Sequence, residues 1–230
     1  MMDVDYLDMH TGELRRGELK DYSKAALARL DKAYGYKSFR PGQLEAVNSI
    51  LNRHDLIAVM PTGSGKSVCY QLPALRDGSF TVVVSPLRAL MRDQVQALQA
   101  RGVPAALIDS GVSPKQRQSI YDMAHGGGLR ILYVAPERLW TDDFLFFTQS
   151  TRIDLMAVDE AHCVLQWGND FRSSYLHIGE FIAAPFIHAV GGSWVCPKAD
   201  IAAGNFEKIT ALCKQARSAA LGFEVAHIGV

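Results

Sequence analysis

A chain of 230 residues with 48% hydrophobic and 21% charged positions can bury a full α/β core, which excludes a disordered or low-complexity polymer. Its 24 basic and 24 acidic residues cancel, so any nucleic-acid contact has to come from a local basic groove and not from bulk charge. Cys69, Cys163, Cys196 and Cys213 are scattered without a CxxC pair, which argues against a zinc site and a disulfide framework; with no signal-like start and no apolar run of membrane-spanning length, a reduced, cytoplasmic, membrane-free protein is expected.

In chain order, residues 1–20 are polar and glycine-dotted and read as a loose arm. Leu27, Leu30 and Tyr34 recur at helical spacing over 21–34, and a second helix is predicted after Pro41 with Leu44, Val47, Ile50 and Leu51 on one face. Six apolar runs follow: "LIAVM" (56–60), "FTVVVS" (80–85), "AALID" (105–109), "RILYVA" (130–135), "IDLMAVD" (153–159) and "FIHAVGG" (186–192), with segments of helical length between them. Ser113-Pro114-Lys115-Gln116 has the form of a capping box with proline at the first helical position, so a helix should begin there. The runs do not alternate with polar residues, which suits parallel strands covered on both faces. Periodicity alone leaves a doubly wound sheet and a barrel both open.

The stretch "LIAVMPTGSGKSVCYQLPAL" places a glycine-rich turn between a strand and a helix. Gly63 and Gly65 let backbone N–H groups converge on phosphate oxygens. Lys66 can reach terminal phosphates, and the Ser67 hydroxyl can hold Mg²⁺ at the helix start. The strict pattern wants glycine at position 60, where this chain has Met60, with Pro61 and Thr62 leading into the loop of Gly63, Ser64, Gly65, Lys66 and Ser67. A second acidic signal, "LMAVDEAH", ends an apolar run on Asp159 and Glu160, suited to a metal-organising and a water-orienting carboxylate. Both signals sit at carboxyl ends of predicted strands, where α/β sheets bind ligands.

These residues together resemble the RecQ-type DNA helicases of superfamily 2 from about residue 22 to 182. "YGYKSFRPGQ" resembles their adenine-recognition motif and "MPTGSGKS" their motif I. "VVVSPLRALMRDQV" resembles motif Ia, "YVAPERL" motif Ib, "DEAH" motif II, and "CVLQWGNDFRSSY" the aromatic-rich loop. The resemblance implies a RecA-like P-loop domain with a mostly parallel sheet covered by helices on both faces. It implies Tyr36, Arg40 and Gln43 at adenine, Lys66, Asp159 and Glu160 in catalysis, Ser67 and Asp159 at Mg²⁺, and ATP as the cofactor. Arg88, Gln166, Trp167, Phe171 and Arg172 would contact single-stranded or tailed DNA. The family has Ser where this chain has Leu165 and His where it has Asn169, so the coupling of DNA binding to hydrolysis is where this chain departs from the pattern.

After about Ile182 the pattern changes. "AVGGSWVCPKADIAAGNFEKITALCKQA" resembles the last strand–helix unit of 2-keto-3-deoxy-6-phosphogluconate aldolases, with Gly191, Gly192 and Ser193 as a possible phosphate turn. Three segments are expected: an arm (1–20), a RecQ-like ATP-binding domain (21–183) and an aldolase-like strand–helix segment (184–230). The family's second RecA-like domain is not found in these residues, so Mg·ATP and single-strand binding are expected without unwinding by this chain alone. A nucleotide-dependent DNA-binding fragment without catalysis and an aldolase-like lyase fragment remain alternatives, and the oligomeric state is not legible.

Overall fold

Four of the six apolar runs form one sheet in the computed structural model, which describes residues 2–7, 14–53, 56, 58, 60 and 63–159. The strands are β3 (Thr81–Val84), β4 (Ala105–Ile108), β5 (Ile131–Val134) and β6 (Leu155–Val158). They are all parallel and stand in the order β4-β5-β3-β6. Three of the four are buried along their whole length, which is why the sequence shows continuous apolar runs and no alternation. Of the run 56–60, Leu56, Ala58 and Met60 are described and lie outside any strand, grouped with Ala46 and Cys69. The run 186–192 lies outside the described residues.

Successive strand residues point to opposite faces, and each face has its own helices. Val82, Val84, Leu132, Val134, Met156 and Val158 pack with aromatic residues of α5 (Pro114–His125) and α6 (Asp142–Ser150). There Tyr121 and Phe147 stack at 4.4 Å between centroids. On the other face Val83, Ile131, Tyr133, Leu155 and Ala157 meet α3 (Lys66–Ala74) and α4 (Arg88–Ala100). Outside α3, a further layer joins Ala26 and Leu30 of α1 (Ser23–Tyr34) with Val47 and Leu51 of α2 (Gln43–Leu51) around Val68 and Leu72. The doubly wound option is therefore the one realised.

Local signals resolved as their chemistry dictates. The Ser113 hydroxyl accepts from the Gln116 N–H at 3.3 Å, and the Gln116 side chain accepts from the Ser113 N–H at 3.0 Å, so the capping box starts α5 where expected. Leu27, placed on the apolar stripe by its spacing, is exposed; Ala26 and Leu30, four apart, take the buried face instead. The stretch 1–20, expected as a loose arm, carries an antiparallel hairpin of β1 (Met2–Leu7) and β2 (Leu14–Leu19). Its sequence signal was the alternation of Asp3 and Asp5 with Val4 and Tyr6, the period of a strand, hidden beneath high polarity. Among the described residues no helix is long and apolar enough to cross a membrane.

Candidate functional site

The parallel register aligns Val84, Ile108, Val134 and Val158, so Ser85, Asp109, Ala135 and Asp159 follow along one carboxyl edge. At the start of α3 the glycine-rich turn holds Gly63 at φ 80° and Gly65 at φ 84°, a left-handed backbone that a β-carbon strains. Arg40 and Gln43 tie this turn back. Arg40 Nη1 donates to the Gly63 carbonyl at 2.7 Å, and Gln43 Nε2 donates to the carbonyls of Ser64 and Gly65 at 3.0 and 3.1 Å. Gln43 Oε1 accepts the Arg40 N–H at 2.9 Å, so the Gln43 amide is engaged at both ends. In a trans peptide the N–H points opposite to the preceding C=O. Holding these three carbonyls therefore aims the amides of residues 64 to 66 the other way, as an anion cradle at a helix N-terminus requires.

The cradle has polar capacity in hand. Ser64 Oγ is buried and finds no hydrogen-bond partner among the described residues. Lys66 Nζ rests on the Met60 carbonyl at 3.4 Å, and Ser67 lines an adjoining cavity of about 570 Å³ together with Tyr36, Arg40 and Gln43. In the lining of the same cavity the rings of Tyr34 and Tyr36 stack at 6.1 Å and 16°, with the Arg101 guanidinium 5.3 Å from the Tyr34 centroid. Tyr36 is 50% exposed and offers an open aromatic face.

Asp159 is brought to α3 by Tyr70. The Tyr70 hydroxyl bonds to Asp159 Oδ2 at 3.0 Å, and the Asp159 N–H donates to the Val84 carbonyl at 2.8 Å. Tyr70 lies four residues after Lys66 and three after Ser67, on the same side of the helix, so the carboxylate is docked against the first turns of α3. Behind it runs a buried polar chain: Tyr133 neighbours Tyr70, and the Tyr133 hydroxyl accepts from Gln71 Nε2 at 2.8 Å. Gln71 Nε2 also donates to Gln94 Oε1 at 2.7 Å, and Gln71 Oε1 accepts from the Tyr34 hydroxyl at 2.9 Å. Burial first, and then the neighbouring Tyr133 and Asp159, push the Tyr70 phenol well above its ordinary range, so it stays protonated and donates. Gln71, Gln94 and Tyr133 carry no expectation from sequence, and Tyr34 is expected there only as part of an apolar helix face. The available signal was a polar pair, Tyr70-Gln71, inside an otherwise buried helix, since buried polar groups imply partners.

Arg88, expected at DNA phosphate, is held at the same edge by Asp109, 3.3 Å away, with Arg92 at 2.9 Å from the same oxygen. Asp109 is only 2% exposed. Burial works to raise its carboxyl, but the Gly111 N–H and the two guanidinium groups outweigh it and hold it below the usual range. Thr62, Glu160, Gln166, Trp167, Phe171, Arg172, Gly191, Gly192 and Ser193 lie outside the described residues. Among the described residues no group of three or more His, Cys, Asp or Glu side chains is placed to hold a metal. A hard cation at this loop would take Ser67, Asp159, water and the ligand's own phosphates, a donor set that suits Mg²⁺.

A parallel sheet with a phosphate-shaped turn and a carboxylate meeting on one helix at its carboxyl edge defines a P-loop domain with a RecA-like fold. The fold agrees with a solved structure of a hypothetical ATP-dependent RNA helicase from Sulfolobus tokodaii, at TM-score 0.59 and 21% identity over 83% of this chain and 54% of that one. The chain belongs to the DEAD/DEAH box helicase family, whose model matches residues 40–193. It is similar to the ATP-dependent DNA helicase RecQ of Haemophilus influenzae, 45% identical over 67% of this chain and 25% of that protein. It is also similar to the RecQ of Bacillus subtilis, 46% identical over 63% of this chain and 25% of that protein. These 230 residues thus match about a quarter of the length of those relatives. The comparisons support the helicase family and not the aldolase-like unit expected over 184–230; the helicase match itself runs to residue 193, into that segment.

Proposed function

We propose that this chain is the nucleotide-binding half of a RecQ-like DNA helicase, binding Mg·ATP at the glycine-rich loop and single-stranded or tailed DNA nearby. The observation that carries the reading is the junction of two distant motifs on α3, the carbonyl-tied loop at its start and Asp159 held by Tyr70. Bound Mg²⁺ would supply charge neutralisation to the terminal phosphates. Lys66 would face those phosphates from α3, Ser67 and Asp159 would hold the cation, and Glu160 would orient the attacking water. Tyr36 offers its open ring to the base, with Arg40 beside it. In this reading Gln43, its amide engaged at both ends, serves the nucleotide by holding the loop and not by the base contact that the resemblance implied. Gln166, Trp167, Phe171 and Arg172 supply stacking faces and a phosphate contact for the strand, with Arg88 contributing from beside Asp109.

The domain boundaries we propose are 21–183 for the ATP-binding unit and 184–230 for a terminal strand–helix unit whose aldolase resemblance rests on sequence alone. If Gly191, Gly192 and Ser193 hold a phosphate there, they do so without the Schiff-base lysine of that family, so pyruvate release from 2-keto-3-deoxy-6-phosphogluconate is not expected.

Mg·ATP is expected to raise the melting temperature in a concentration-dependent way, because a ligand that binds only the folded state stabilises it by mass action. Lys66→Ala should lower ATP affinity by about tenfold, the value of one charge-assisted bond of about 1.5 kcal/mol. Equal melting shifts in wild type and variant would reject the loop as the ATP site. The 230 residues by themselves are expected not to unwind a 3′-tailed duplex, since stepping along a strand needs two domains that close on ATP in turn. Strand displacement that requires both ATP and Lys66 would overturn that expectation. An ATPase assay with and without single-stranded DNA separates a hydrolase from a nucleotide-dependent binding module.

A further inference from the structure

Asp159 cannot orient itself. A carboxylate has only acceptor oxygens and is free to rotate, so a metal carboxylate is aimed by whatever donates to it. Here one oxygen, Oδ2, is bonded to the Tyr70 hydroxyl at 3.0 Å, while the backbone at Asp159 is pinned to Val84. The donor itself has no choice of direction. Tyr70 has one proton and the carboxylate can only accept, so that proton goes to Asp159, which leaves the Tyr70 oxygen as an acceptor for the neighbouring Tyr133 hydroxyl. The Tyr133 oxygen accepts in turn from Gln71 Nε2, whose other hydrogen goes to Gln94. Gln71 Oε1 takes the Tyr34 proton, and the ring of Tyr34 stacks on Tyr36 at the cavity. Tyr34 to Gln71, Gln71 to Tyr133 and Tyr70 to Asp159 donate in one direction, with the second Gln71 hydrogen branching off to Gln94, so the bonds along the line polarise one another.

We infer that Tyr70 is a positioning residue for Asp159, fixing the orientation of its carboxylate through Oδ2 for the cation, with Tyr133 and Gln71 supporting Tyr70. The inference rests on the Mg·ATP reading of the site. It predicts a defect confined to the metal: Tyr70→Phe keeps the ring and its packing and removes only the donor.

ATP binding to the 230-residue chain is measured by calorimetry in EDTA and across a Mg²⁺ titration, with melting temperatures recorded alongside. Tyr70→Phe is expected to leave metal-free ATP binding unchanged and to raise the half-saturating Mg²⁺ concentration about tenfold, the lower end of what loss of a partner orienting a metal ligand does. In an Asp159→Asn background the same change should add nothing, because its effect passes through that carboxylate. Tyr133→Phe, which leaves the Tyr70–Asp159 bond in place, should raise the requirement by about twofold. An unaltered Mg²⁺ requirement in Tyr70→Phe, or a loss equally large without metal, overturns the positioning role. If Tyr70→Phe fails to fold, the Tyr133→Phe titration decides, and no shift there overturns it. A wild-type chain whose ATP binding ignores Mg²⁺ rejects the site reading and this inference with it.

Discussion

Gly65→Ala is expected to lower ATP affinity by about a hundredfold, more than any other single change in the loop. Two penalties act together. The backbone sits at φ 84°, where a β-carbon costs about 1–2 kcal/mol. That β-carbon would also stand 2.7 Å from Gln43 Nε2, closer than atoms approach, so the Gln43 amide must move. Moving it breaks the bonds to the carbonyls of Ser64 and Gly65, each worth about 1 kcal/mol. Relaxing the turn to negative φ instead would swing the amides out of the cradle. Either way about 3 kcal/mol is lost, which is about two powers of ten in affinity. Gly63→Ala is the control: its φ is 80°, but an added β-carbon meets nothing within 4 Å among the described residues. It should lose about tenfold, the backbone penalty alone. Calorimetric titration of both variants with Mg·ATP checks the order, and equal losses would show that the Gln43 contact does not matter.

Gln71→Leu should destabilise the fold by about 2–3 kcal/mol, a drop of about 5–10 °C in melting temperature for a chain of this size. Gln71 is 3% exposed and its amide makes three hydrogen bonds, to Tyr34, Gln94 and Tyr133. Leucine fills nearly the same space but supplies none of them. Gln94 and Tyr34 are partly exposed and recover some hydration, whereas Tyr133, 1% exposed, has no route to water. Tyr34→Phe removes a single bond and should cost about 1 kcal/mol. Both changes remove the same Tyr34–Gln71 bond, so the double variant should be scarcely less stable than Gln71→Leu. Urea unfolding of the three variants measures this, and a Gln71→Leu protein as stable as wild type would rule out the buried chain as a structural element.

What could be read from the residues was what short spacing encodes. Continuous apolar runs marked β3 to β6, because a strand buried on both faces has no polar positions to alternate. The Ser113 capping box and the glycine-rich turn of the loop were legible for a related reason: each is a matter of backbone groups within a few residues of one another. The hairpin at β1 and β2 was missed because polarity masked its two-residue period. Only the tertiary structure decided the strand order, the use of Gln43 to hold the loop, and the pairing of Arg88 with Asp109. Only it joined Tyr70 to Asp159 across 89 positions and Gln71 to Tyr133 across 62. Side chains so far apart have no common local period. Their partners are set when the helix layers close on the sheet and each buried polar group must bond to whatever the packing brings within 3 Å.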